Sequence, residues 1–175
     1  MSLTTEQLAL FAKLAKAKGL SKAKHPPVTA VAPLEFPMTD VQRAYWLGRT
    51  AGVRLSGVAS HGYQEFDCGM LDIERLHSSW DKVIARHDML RATVTPEGFF
   101  KVQPTVPSVP WHVDDYRLLS EIEKKQRLEE KRNLLSHRIP DLTKWPIISL
   151  EISIVSENFI RIHLSCDAVI ADVYS

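Results

Sequence analysis

The stretch from Ile147 to Leu164 leaves this chain the least freedom. Isoleucine and valine dominate it, with apolar residues alternating in Ile152-Ser153-Ile154 and in Ile160-Arg161-Ile162-His163-Leu164. A period of two predicts adjacent strands, turning at Glu157-Asn158. Asp167 then falls at the end of the second strand. An aspartate there can cap a following helix by accepting a backbone N–H. Asp172, five residues on, would lie roughly 140° further round such a helix, so the two carboxylates need not share a face. By spacing alone they read as a capping or solvated pair and not as a metal clamp.

The 175 residues are 45% hydrophobic and 25% charged, which is enough apolar content for one core, and so for one domain or one lobe. Lys and Arg number 22 against 21 Asp and Glu, a net charge of +1, and both signs are spread throughout. This balance gives no electrostatic basis for binding nucleic acid or an anionic membrane. No apolar run approaches the ~20 residues of a membrane span, and the N-terminus lacks the apolar core of a secretory signal, so a cytoplasmic protein is expected. Cys68 and Cys166 have no CxxC or Cys/His ligand spacing and read as buried thiols. His61, His137 and His163 show no ligand spacing to one another, and no metal site is expected.

Residues 1–33 read as an N-terminal helix and linker. Thr4-Thr5-Glu6-Gln7 has the form of a capping box, Leu8, Phe11 and Leu14 follow at helical spacing, and Pro26, Pro27 and Pro33 mark an extended segment. The leader is either solvated or a docking helix for an upstream partner. Next, Thr39 or Asp40 can cap a short, mostly buried helix from Val41 to Leu47 that closes at Gly48, with Tyr45 and Trp46 as core. Residues 58–67 read as a strand. Leu71 to Arg86 reads as a helix with Leu71, Leu76, Trp80, Val83 and Ile84 inward, and Leu90–Val94 with Phe99–Val102 as a hairpin around Pro96-Glu97-Gly98. A proline-rich loop at Pro104, Pro107 and Pro110 precedes a charged helix from about Leu118 to Ser136, whose faces suggest a solvated surface. This order of elements predicts an α/β lobe, a mixed β-sheet with flanking helices.

Phe36-Pro37-Met38-Thr39-Asp40-Val41-Gln42-Arg43-Ala44-Tyr45-Trp46-Leu47-Gly48-Arg49 resembles the opening motif of the heterocyclization domains of nonribosomal peptide synthetases, Phe-Pro-Leu-Thr-x-x-Gln-x-Ala-Tyr-x-x-Gly-Arg, with only Met38 departing. Arg86-His87-Asp88-Met89-Leu90-Arg91-Ala92 resembles their second motif, and Asp167-x4-Asp172-x2-Ser175 their defining Asp-x4-Asp-x2-Ser. The resemblance covers about residues 34–175.

It implies the N-terminal lobe of a two-lobed, chloramphenicol acetyltransferase-like fold whose active-site tunnel lies between the lobes. Such domains join a carrier-bound acyl or peptidyl thioester to Cys, Ser or Thr on a second carrier protein, then cyclodehydrate the product to a thiazoline or oxazoline. The implied partners are the upstream and downstream peptidyl or aryl carrier proteins and the C-terminal lobe. No directly bound cofactor is implied, since the substrates ride on phosphopantetheine. Ordinary condensation domains carry His-His-x-x-x-Asp-Gly at the third motif, which here places Asp167 and Ala168 at the two histidines and Asp172 at the aspartate. Ala168 cannot move a proton. Asp167 is therefore the candidate to hold the incoming nucleophile from the tunnel wall. Asp172 is either a catalytic carboxylate or the partner of Arg91 in an ion pair. His87 and Arg91 are expected to support the site, and Ser175 and Ala168 to line the tunnel. A non-catalytic carrier-docking domain is the alternative. A CoA-dependent acyltransferase is disfavoured, because it needs a histidine where Ala168 stands. Without the second lobe the chain is expected to be inactive.

Overall fold

The computed structural model describes residues 35–49 and 59–171. The leader helix and linker, the start of the 58–67 strand, Asp172 and Ser175 lie outside the described residues. The chain divides into two units, Met1–Ala32 and Pro33–Ser175, and every described residue belongs to the second.

The predicted strand pair forms as β6 (Ser149–Ser156) and β7 (Phe159–Asp167), antiparallel from Ser149 opposite Ser165 to Ile154 opposite Ile160, with a bulge beside Ser156. On the other side of β7 lies β2 (His61–Cys68), with His61 opposite Asp167. A short parallel strand, β5 (Val113–Asp115), joins β6 and completes a four-stranded sheet in the order β2-β7-β6-β5. A separate three-stranded sheet, ordered β1-β4-β3, is built from β1 (Glu35–Pro37), β3 (Ala92–Val94) and β4 (Phe99–Val102). The α/β lobe with mixed pairing is thus observed, but its strands are divided between two sheets.

The two faces of the larger sheet differ because side chains alternate along each strand. Ile152, Ile154 and Ile160 form an apolar cluster with Ile73 and Leu76. These last two belong to α2 (Ile73–Arg86), which Asp72 caps by accepting the Arg75 N–H at 3.0 Å. That cap leaves Leu71 outside the helix and exposed. Val83, expected inward, is 39% exposed because it sits at the edge of the stripe that Ile73, Trp80 and Ile84 present to the core. The opposite sheet face is polar and carries Glu65, Ser153, Arg161, His163, Ser165 and Asp167. Helix α3 (Glu121–Ser136) covers it through ions: Lys131 bridges Asp114 and Glu151, and Arg132 binds Glu65 through two hydrogen bonds of 2.9 and 2.7 Å. The expected solvated helix is therefore solvated on its outer side only. It begins after Ser120, whose hydroxyl accepts the Glu123 N–H while the Glu123 carboxylate accepts from the Ser120 N–H.

Helix α1 (Asp40–Leu47) has no buried residue, contrary to the mostly buried helix expected. It lies on the surface and touches the core along one edge, through the half-buried Trp46. Leu90 and Arg91, read as strand, instead form the end of a 3₁₀ turn (Asp88–Arg91) leading into β3.

Candidate functional site at the end of strand β7

Where β7 ends, Asp167 is fully buried. Its Oδ1 accepts the Val169 N–H at 3.0 Å, and its backbone carbonyl accepts the Ile170 N–H at 3.1 Å. The aspartate thus caps a turn, Ala168–Ile170, where a helix start was expected. The Ala168 N–H donates to Ser60 O at 2.8 Å, which ties this turn to the strand beside it.

The other carboxylate oxygen, Oδ2, pairs with Nη2 of Arg49, the last residue of the opening motif. Arg49 Nη1 also donates to Pro140 O at 3.2 Å, and burial pulls the guanidinium below its ordinary pKa. A second contact joins the same two motifs, because Gln42 Nε2 donates to Val169 O at 3.1 Å. Gln42 Oε1 meanwhile accepts the Thr39 N–H at 3.0 Å, so one side chain both caps α1 and reaches the turn after β7. Capping explains why threonine and glutamine stand three apart.

Opposite Asp167 in the sheet, His61 Nε2 lies 3.0 Å from Leu135 O and 3.1 Å from Ser165 Oγ. Burial lowers its pKa and favours the neutral imidazole, with Nε2–H donating to the carbonyl. Further down the same face, the buried His163 lies between Ser153 Oγ at 3.0 Å and the Tyr63 hydroxyl at 2.7 Å, and that hydroxyl donates to Glu65 at 2.8 Å. With the tyrosine proton given to Glu65, His163 Nδ1–H must donate to the tyrosine oxygen while Nε2 accepts from Ser153. Burial drives His163 down to about 4, so it is neutral near pH 7. The sequence offered one signal for this network, the polar residues alternating with isoleucines on β7.

The remaining sequence candidates lie elsewhere. Arg91 staples the end of α2 to the residue after β4, donating to Gln103 O at 3.1 Å, Ile84 O at 2.9 Å and Asp88 Oδ1 at 2.6 Å. His87 is the exposed C-cap of α2, and its backbone N–H donates to Val83 O at 3.1 Å. Arg91 thus ties local backbone together, the His87 side chain makes no hydrogen bond among the described residues, and the Asp172 partner weighed for Arg91 lies outside the described residues. Ala168 is half-buried in the turn. Among the described residues no group of three His, Cys, Asp or Glu could hold a metal ion, and no helix is long and apolar enough to cross a membrane.

No family model matches the chain. It is 34% identical over 142 residues to phenyloxazoline synthase MbtB of Mycolicibacterium paratuberculosis, covering 80% of this chain and 12% of that protein. It is 35% identical over 141 residues to pyochelin synthetase PchF of Pseudomonas aeruginosa, covering 80% and 8%. Its backbone matches the EpoB cyclization-docking bidomain of a nonribosomal peptide synthetase from Sorangium cellulosum at a TM-score of 0.74 and 32% identity, covering 97% of this chain and 35% of that one. The chain belongs to the heterocyclization-domain family of nonribosomal peptide synthetases. It spans about a tenth of the length of the curated family members it matches and about a third of the EpoB bidomain. Within the family's motif set, the first and third motifs meet at Arg49 and Asp167.

Proposed function

We propose that residues 34–175 form the N-terminal lobe of a heterocyclization domain, one that joins a carrier-bound acyl or peptidyl thioester to carrier-bound Cys, Ser or Thr and cyclodehydrates the product to a thiazoline or oxazoline. The observation that carries this reading is the contact of the first and third motifs through Gln42 with Val169 and Arg49 with Asp167. A thioester is already activated, so holding two tethered substrates within reach supplies much of the rate of amide formation. Asp167 then acts as a positioning residue. Both its oxygens are occupied, by Val169 N–H and Arg49, so its work is to fix the turn that carries Ala168 and leads to Asp172 and Ser175. The proton transfers of cyclodehydration fall to groups beyond the described residues, Asp172 and the second lobe among them.

The test takes the longer protein that carries this lobe and mixes it with acyl-loaded and Cys-, Ser- or Thr-loaded carrier proteins, reading the product carrier by intact mass. Acyl transfer with loss of one water is the expected result. Transfer without water loss reduces the reading to condensation. No transfer with any aminoacyl carrier sinks it in favour of a domain that only docks carriers, a reading favoured by the fact that Asp167 is committed to an ion pair.

A further inference from the structure

Strand β5 runs beside β6 for three residues only, from Val113 opposite Ile152 to Asp115 opposite Ile154. Ile152 N–H donates to His112 O at 3.0 Å and Tyr116 N–H to Ile154 O at 2.8 Å, so even-numbered residues of β6 turn their peptide groups toward β5. Leu150 is next in that series. The two bonds that would continue the ladder, His112 N–H to Leu150 O and Leu150 N–H to Pro110 O, are not made among the described residues.

The strands part here because α2 holds the loop before β5 away. Ser108 Oγ donates to Asp81 Oδ2 at 2.7 Å, His77 Nε2 lies 3.1 Å from Val109 O, and the Trp111 ring packs on His77 at 4.8 Å. This serine, histidine and aspartate do not form a nucleophilic relay, since the hydroxyl proton goes to the carboxylate and not to the imidazole. They act as a clamp. The parting opens a cavity of about 660 Å³ with apolar walls that include Pro110 and Leu134, and with His112, Asn133 and Arg138 among its polar edges. Ser149 Oγ is buried against it with no hydrogen-bond partner among the described residues.

A strand residue whose N–H and C=O are unpaired on one edge among the described residues is matched by an extended amide, and the cavity is of the size that small ligands occupy. We propose that this cavity binds a linear chain carrying secondary amides, the chemistry shared by a pantetheine arm and a short peptidyl donor, through the peptide groups of Leu150. The assignment rests on the heterocyclization reading for its source of ligand but uses none of the catalytic residues.

Hydrogen exchange at the Leu150 amide of the intact protein tests it, with three probes: S-methylpantetheine, N-acetylglycylglycine methylamide, and triethylene glycol dimethyl ether as a chain of similar length without N–H. At a probe concentration ten times Kd, exchange should slow about tenfold with at least one amide probe and not with the ether. The amide probe that protects identifies the source, arm or donor. Asn133→Trp, at an exposed helix position facing the cavity, should abolish the protection while leaving the exchange of α2 and β7 unchanged. No protection by either amide probe, equal protection by the ether, or full protection in Asn133→Trp would overturn the proposal. No carrier protein or turnover enters this measurement, so the site can fail while water-losing transfer succeeds, and the reverse.

Discussion

The buried ion pair of Arg49 and Asp167 sets the strongest expectations for single residues. The arginine side chain is 10% exposed and the carboxylate fully buried, so deleting one partner strands a charge away from water. Arg49→Met or Asp167→Leu should each cost about 3–5 kcal/mol, whereas the two together should recover much of that loss. Denaturant titration of the two single variants and the double variant gives the coupling directly; additive losses would show that the pair is not a unit. His163 makes a different prediction because it is buried neutral. Its folded pKa of about 4 lies below the ordinary imidazole value of 6.5, so the unfolded chain binds the extra proton first. Stability from this residue is complete above pH 6.5 and is lost as pH falls through that window toward 4, by at most about 1.4 kcal/mol per pH unit. His163→Gln should flatten the pH dependence of the denaturation midpoint between pH 6.5 and 4.5. An unchanged slope would mean that the histidine is not neutral in the fold.

At the level of elements, the hairpin of β3 and β4 depends on one glycine. Gly98 has φ of 81°, and a Cβ there would stand 2.8 Å from the ring of Trp46, the residue that seats α1 on the core. Gly98→Ala should therefore destabilise by more than the ~1–2 kcal/mol of left-handed backbone strain alone, and Trp46→Ala in the same chain should relieve the steric part. Thermal unfolding of the two variants separates these contributions. The sequence announced this hairpin through Pro96-Glu97-Gly98, and it announced β6 and β7 through alternation, because both signals are local. It was silent on β5, whose Val113-Asp114-Asp115 is too short and too acidic to read as a strand and pairs only because β6 lies beside it. It was equally silent on the division into two sheets, since β1 holds three residues including Pro37 and is a strand only against β4. At the site, motif spacing identified Arg49 and Asp167 as members of separate motifs. Their pairing depends on α1 and β7 meeting in space, which no periodicity encodes.

Over the whole lobe, the two helices that cover the larger sheet are attached by different forces. Helix α2 adds Ile73, Leu76, Trp80 and Ile84 to the apolar side of the fold, an attachment that salt does not weaken. Helix α3 has Leu135 as its buried residue and otherwise meets the sheet through Lys131 with Glu151 at 3.0 Å and Arg132 with Glu65 at 2.7 Å. The Arg132 pair, 47% exposed at the arginine, contributes up to about 1 kcal/mol and is screened as the Debye length contracts to about 3 Å in 1 M salt, whereas the Lys131 pair, 9% and 15% exposed, is screened less. Helix α3 should therefore open below the global unfolding free energy, with α2 and β7 staying closed until the lobe unfolds. Native-state hydrogen exchange in 0.05 M and 1 M sodium chloride reads this directly: the α3 amides should lose protection in high salt while those of α2 keep theirs. Because Leu135 O also receives His61 and the end of α3 borders the cavity beside Leu150, an α3 that opens separately would loosen that cavity without disturbing the turn at Asp167. Equal and salt-independent protection of both helices would instead mean that the polar face is locked as firmly as the apolar one.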